Sequence, residues 1–178
     1  VLGSRGLGDV YKRQAEERAH HQEPVFFHVE VSNRALEGRT IEEVRNFITR
    51  GFIASRILSG NTITSPNGAT VLHMHDCLRI VSLPEVKEAI VAFFGQERTD
   101  IDLAEEQSPL VVRTLMVTRE SVNGMRLEDL FLNRIDGVNI TRVNRSGVVL
   151  FPYNTLRLQI GDTLNCVGPA NAVARLAA

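Results

Sequence analysis

The sequence predicts an α+β protein built from two copies of one small β-α-β-β-β-α module in tandem. Two observations carry this. Shifting the chain by 86 positions (124 − 38) places Gly38 on Gly124 with no gap, and the same shift superposes Val31/Val117, Glu42/Glu128, Gly51/Gly137, Arg56/Arg142, Pro66/Pro152, Leu72/Leu158, Asp76/Asp162, Leu78/Leu164 and Val81/Val167. Within each copy, period-two apolar runs alternate with one helix-period segment and are punctuated by Gly and Pro, the grammar of short strands around a helix.

Each element follows in order. Val25 to Val31 and Val111 to Val117 alternate as strands do. In copy one Thr40 stands three residues before Glu43, the spacing of a capping box, and Ile41, Val44 and Ile48 share one helical face. Gly51 and Gly137 are expected to stop the helices, where a positive φ costs glycine little. Strands follow over 52–58 and 138–143, turned at Ser59-Gly60-Asn61 or Ser146-Gly147 into a further strand that Pro66 or Pro152 ends. The last strands are Leu78–Val81 and Leu164–Val167. A closing helix is expected from Pro84 to Phe94, and again from Pro169, since Pro suits a first helical turn.

The domain limits are therefore modules at 25–95 and 110–178, with an acidic, aperiodic linker at 96–109 and a lead-in at 15–24. Residues 1–14, VLGSRGLGDVYKRQ, follow no period. Asp9 to Gln14 is what GAT GTG TAT AAG AGA CAG encodes, which resembles a transposon-end adaptor of DNA libraries, so this segment is expected to be an artefact and native sequence to begin near Ala15. The closing helix of the second module is expected to be cut short.

Composition bounds the chemistry. A 43% hydrophobic content suffices for packed cores, and a net charge of −1 without like-charge blocks argues against a nucleic-acid partner. Cys77 and Cys166 are too few for a disulfide framework and sit in apolar runs. No apolar run reaches the ~20 residues of a membrane helix. No serine has a nucleophile-elbow context, no Gly-rich phosphate loop follows a strand, and the carboxylates of the first helices belong to a solvent face, so neither an enzyme nor a cofactor is expected.

Two constellations merit weighing. His73, His75 and Cys77 alternate, and His-x-His is a metal-ligand spacing, but the second copy has Gln159, Gly161 and Thr163 there; a structural turn is preferred to a metal site. Arg56 and Arg142 recur beside the hydroxyls of Ser55 and Thr141, a combination suited to phosphate or carboxylate. The structural alternative is a salt bridge to the recurrent Asp76 or Asp162. Asn144 and Arg145, on the turn of copy two, are further ligand candidates without charged equivalents in copy one.

The pattern strand, Gly, helix, Gly, Arg-bearing strand, Pro and then "x-D-x-L-x-x-V" resembles the TrkA C-terminal (RCK-C) family, most fully in Gly137-Val138-Asn139-Ile140-Thr141-Arg142-Val143 and Gly161-Asp162-Thr163-Leu164. His75 departs from it where Gly161 conforms. The gapless pair, with the lead-in Ala15-Glu16-Glu17-Arg18-Ala19, resembles the central cytosolic part of the aspartate:alanine exchanger family, where it lies between two membrane-embedded halves. That resemblance implies a homodimerising regulatory region at the cytoplasmic face of a bacterial inner membrane, partnered by membrane domains of the same full-length chain and sensing a small anionic or nucleotide ligand. It also leaves open a soluble RCK-C sensor subunit of a potassium or cation transport system.

Overall fold

In the computed structural model, residues 23–48, 51–130 and 137–178 are described; residues 1–14, expected to be an artefact, and most of the expected lead-in lie outside them. The fold is α+β with two antiparallel sheets. In the first half, β1 (Val25–Val31), α1 (Ile41–Phe47), β2 (Ile53–Ser59), β3 (Thr62–Thr64), β4 (Cys77–Ser82), a 3-10 turn at Pro84–Val86 and α2 (Lys87–Phe94) follow in order. Next comes β5 (Gly95–Arg98), and the sheet runs β3-β2-β4-β1-β5. The second half repeats the order with β6 (Leu110–Met116), α3 (Leu127–Leu130), β7 (Asn139–Arg145), β8 (Val148–Leu150), β9 (Thr163–Pro169) and α4 (Ala170–Ala177), in a sheet β6-β9-β7-β8.

Local chemistry explains the elements. Thr40 accepts from the Glu43 amide at 3.2 Å and Glu43 Oε2 accepts from the Thr40 amide at 2.9 Å, closing both halves of the capping box. The turn before β4 needs a left-handed residue in both halves: Gly161 supplies it at φ 91°, and His75 adopts φ 70° in its place. Each second strand bulges at the same point, between Ala54 and Arg56 and between Ile140 and Arg142. The bulge residues are the recurrent hydroxyls: Ser55 donates to the Arg79 carbonyl and Thr141 to the Asn165 carbonyl, each at 3.4 Å.

The segment expected to be a linker does more than connect. Its first residues form β5, paired with the outer edge of β1 from His28↔Arg98 to Val31↔Gly95, and Leu103 is completely buried beside Ile63 and Cys77. Gln96, Glu97 and Arg98 show no apolar period because pairing with the edge of β1, rather than side-chain burial, holds them as a strand.

The first core gathers Val29, Val31, Ile41, Val44, Phe52, Leu72, Leu78, Ile80, Ile90 and Phe94, all at most 2% exposed, with Phe52 and Phe94 edge to face. The second centres on Val143, Leu158, Leu164 and Cys166. They are joined where β2 lies against β7. Because β3 and β8 pair only with the last residues of β2 and β7, the first halves of those strands are left open toward each other. Asn139 donates to Ser65 Oγ and to the Pro66 carbonyl, both at 2.9 Å, and Phe151 buries itself in the first core.

Candidate functional site

The site grows from the seam between the halves. Arg56 follows the β2 bulge and stands across from Arg79 on β4, and Arg79 in turn stands across from His28 on β1. Residues paired across antiparallel strands share one face of the sheet, so two guanidinium groups and an imidazole form a row. Arg56 is 5% exposed, and the charges that act on its guanidinium are the like charge of Arg79 and the opposing carboxylate of Asp102. Nε of Arg79 is buried and has no hydrogen-bond partner; its closest carboxylate oxygen, Asp102 Oδ1, is 3.6 Å away. Arg79 is also stacked 4.3 Å from the Phe26 ring centroid.

The electrostatics follow from that crowding. Burial holds Arg56 below the ordinary guanidinium pKa, with Arg79 adding repulsion and Asp102 opposing. Arg79 is lowered by burial as well, offset by Asp102 and deepened by Arg142 across the seam. The result is a partly desolvated positive region with Asp102 as the carboxylate that opposes it, a setting that suits an anion. Arg56 lines a cleft of about 660 Å³ whose other wall is the segment 104–108 with Leu110 and Val112. Glu105 and Glu106 are on that wall but exposed, so solvent screens them more than it screens Arg56.

The second half is built differently at the equivalent place. Position 165 is Asn rather than Arg; with its amide assigned so that the oxygen faces the guanidinium, it accepts from Arg142 Nε at 2.9 Å and from Nη2 at 3.0 Å. Arg142 is thereby satisfied. Arg145 makes two hydrogen bonds to Asp162 and one to the Arg157 carbonyl, and Asn144 Oδ1 accepts from the Gly147 amide within its own turn. Of the four arginine and asparagine candidates, Arg56 lies on β2 and Arg142 on β7, the two strands that meet at the seam, and Asn144 and Arg145 end β7 just before its turn into β8. In the salt bridge weighed as the structural alternative for Arg142, the partner of Asp162 is Arg145 instead, and Asp76 accepts from the His73 amide at 2.9 Å.

His73 and His75 diverge. Nδ1 of His73 is 3.0 Å from Glu37, and Nδ1 of His75 is 3.6 Å from Glu30, because the positive-φ turn at His75 breaks the strand that would have aligned them. Among the described residues no group of three or more His, Cys, Asp or Glu is placed to hold a metal. The Glu37 partner raises the His73 pKa. Sequence reasoning alone misses Arg79, His28 and Asp102. The available signal was position 79/165, where Arg and Asn break an otherwise matched register.

No family model matches the chain. It is 39% identical over 159 residues to an "Uncharacterized transporter" of Bacteroides thetaiotaomicron, covering 89% of this chain and 28% of that protein. It is 36% identical over 185 residues to one of Porphyromonas gingivalis, covering 99% and 33%. Among solved structures it resembles the GsuK RCK domain with a TM-score of 0.41 at 10% identity, covering 88% of this chain and 63% of that one. The RCK C domain of the potassium transport protein KtrA, in complex with cyclic diadenosine monophosphate, gives 0.36 at 23% identity, covering 51% and 95%. Among the described residues no helix is long and apolar enough to cross a membrane. The chain is thus similar to one segment of bacterial proteins named as transporters, and spans about a third of the length of the curated relatives it matches.

Proposed function

We propose that the chain is the regulatory region of a bacterial membrane transporter of the aspartate:alanine exchanger type, and that it senses a small anion at the seam between its two modules. The transporter context rests on the curated relatives; the sensing role rests on one observation, Arg56 at 5% exposure on the wall of a cleft, standing across from Arg79, whose buried Nε has no hydrogen-bond partner. Leaving a buried guanidinium N–H without a hydrogen-bond acceptor costs stability, and such a cost persists where the missing acceptor is a ligand.

In this reading the region is cytoplasmic, dimerises with a second copy and performs no catalysis. The solute, an amino or dicarboxylic acid by the exchanger resemblance, is handled by membrane domains of the full-length protein. An anion bridging Arg56 and Arg79, with Arg142 across the seam, draws the two modules together. It can bias transport only if it prefers one arrangement of the modules over another. Calorimetric titration with sulfate and with adenine dinucleotides tests the site. Binding by the native chain that is lost in Arg56→Gln supports it, and equal binding by both refutes it.

A further inference from the structure

The segment 99–109 crosses the face of the first sheet that carries Arg56, Arg79 and His28, and it forms one wall of the cleft. One side-chain acceptor pins it to the sheet. The amide of Leu103, a residue with no exposed surface, donates to Nε2 of His28 at 3.0 Å. An imidazole nitrogen that accepts a hydrogen bond carries its lone pair, so the buried ring is neutral, with its proton on Nδ1. Adding a proton at Nε2 would set one N–H against another.

We propose that His28 is a proton-operated latch: neutral, it holds the 99–109 strap closed over the cleft; protonated, it releases Leu103 and opens that wall. Every charged group around the ring takes part. Arg79 on β4 and Arg56 on β2 repel the added charge, and Arg98, across from His28 on β5, is occupied by Asp100 and Glu30. Asp102 Oδ1, 3.7 Å from Nε2, favours the added charge, but it belongs to the strap and already accepts from the Ala104 amide. Burial leads the effects that hold the ring below its usual 6.5, followed by Arg79, and together they outweigh Asp102.

An opened strap returns the ring to water and to a pKa near 6.5, while the closed state holds it lower. The open form therefore binds the proton first, and closure weakens as the pH falls from about 6.5 toward the closed-state value. The consequence for ligand affinity rests on the anion reading above; the latch itself does not.

Amide exchange of Leu103 and the ring nitrogen shifts of His28, followed by NMR between pH 7.5 and 5.5, test the latch. The Leu103 protection factor is expected to fall about tenfold as the pH drops through the window in which open and closed states bind the proton differently, while amides of Cys77–Ser82 keep theirs. His28→Gln, whose Oε1 can accept from Leu103 without titrating, is expected to abolish the dependence and keep the protection. A flat profile in the native chain, an equal fall in His28→Gln, or a parallel loss across Cys77–Ser82 would overturn the proposal. Sulfate titrated into the same samples separates the two readings, because its charge is constant over this range. Failure to bind with the exchange pattern intact counts against the anion site alone, and binding with flat exchange counts against the latch alone.

Discussion

Arg145 holds Asp162 through two parallel hydrogen bonds of 2.9 and 2.8 Å, and Asp162 is 1% exposed. Among the described residues the first module has no such pair, since the position equivalent to Arg145 is Ser59. Its aspartate, Asp76, is likewise buried and accepts from the His73 amide, as Asp162 accepts from the Gln159 amide. The same turn is thus built twice, once with a bidentate cation and once without.

Removing that cation leaves a buried carboxylate with its backbone bond alone. Arg145→Ala is expected to destabilise the second module by about 3 kcal/mol, and Asp162→Asn in the same background to recover part of the loss. Urea unfolding of the two single variants and the double variant checks this. Additive losses would show that the pair has no coupling.

Phe151 belongs by sequence to the second module and by packing to the first core, where it is 3% exposed and meets Tyr153 edge to face at 4.8 Å. Phe151→Ala should cost about 3–5 kcal/mol and uncouple the modules, so that thermal unfolding separates into two transitions. A single transition shifted as a whole would mean that contacts at Asn139 suffice to keep the halves cooperative.

Much of this fold is legible in local chemistry. Thr40 and Glu43 announce their helix because both halves of a capping box lie within four residues. His75 is the misfit in a turn needing positive φ, and it adopts that conformation. What is not legible depends on distance or on pairing. Gln96 to Arg98 become a strand only because β1 offers an edge, and Leu103 is one apolar residue in an acidic stretch. Arg142 and Arg145 each have a polar neighbour in three dimensions, Asn165 and Asp162, but spacing along the chain cannot say which arginine takes the aspartate.

The thiols provide a check on burial that is independent of charge pairs. Burial pushes Cys77 up to about 11 and Cys166 up to about 12. At pH 8 neither is appreciably thiolate, so alkylation of the native protein should be slower than that of the urea-unfolded chain by at least about a hundredfold. Mass spectrometry of iodoacetamide-treated samples reads both sites. Rapid native labelling of Cys77 would mean that the strap over it opens far more often than the closed structure implies.

The strongest test of the seam exchanges one residue for its repeat equivalent. Asn165 shows how the fold satisfies an arginine at this place: its amide oxygen accepts from two guanidinium nitrogens of Arg142. Arg79→Asn writes the same solution into the first module. The introduced amide oxygen would accept from Arg56, and the substitution would remove the like charge facing it, ending the repulsion that accompanies burial there. Two effects should then move in opposite directions. The melting temperature should rise by several degrees, corresponding to about 1 kcal/mol, while sulfate affinity falls at least about tenfold through loss of one charge-assisted contact. A fall in both would assign Arg79 to stability through its stacking on Phe26. Higher stability with unchanged affinity would remove Arg79 from the anion site and leave Arg56 and Arg142 to bind across the seam.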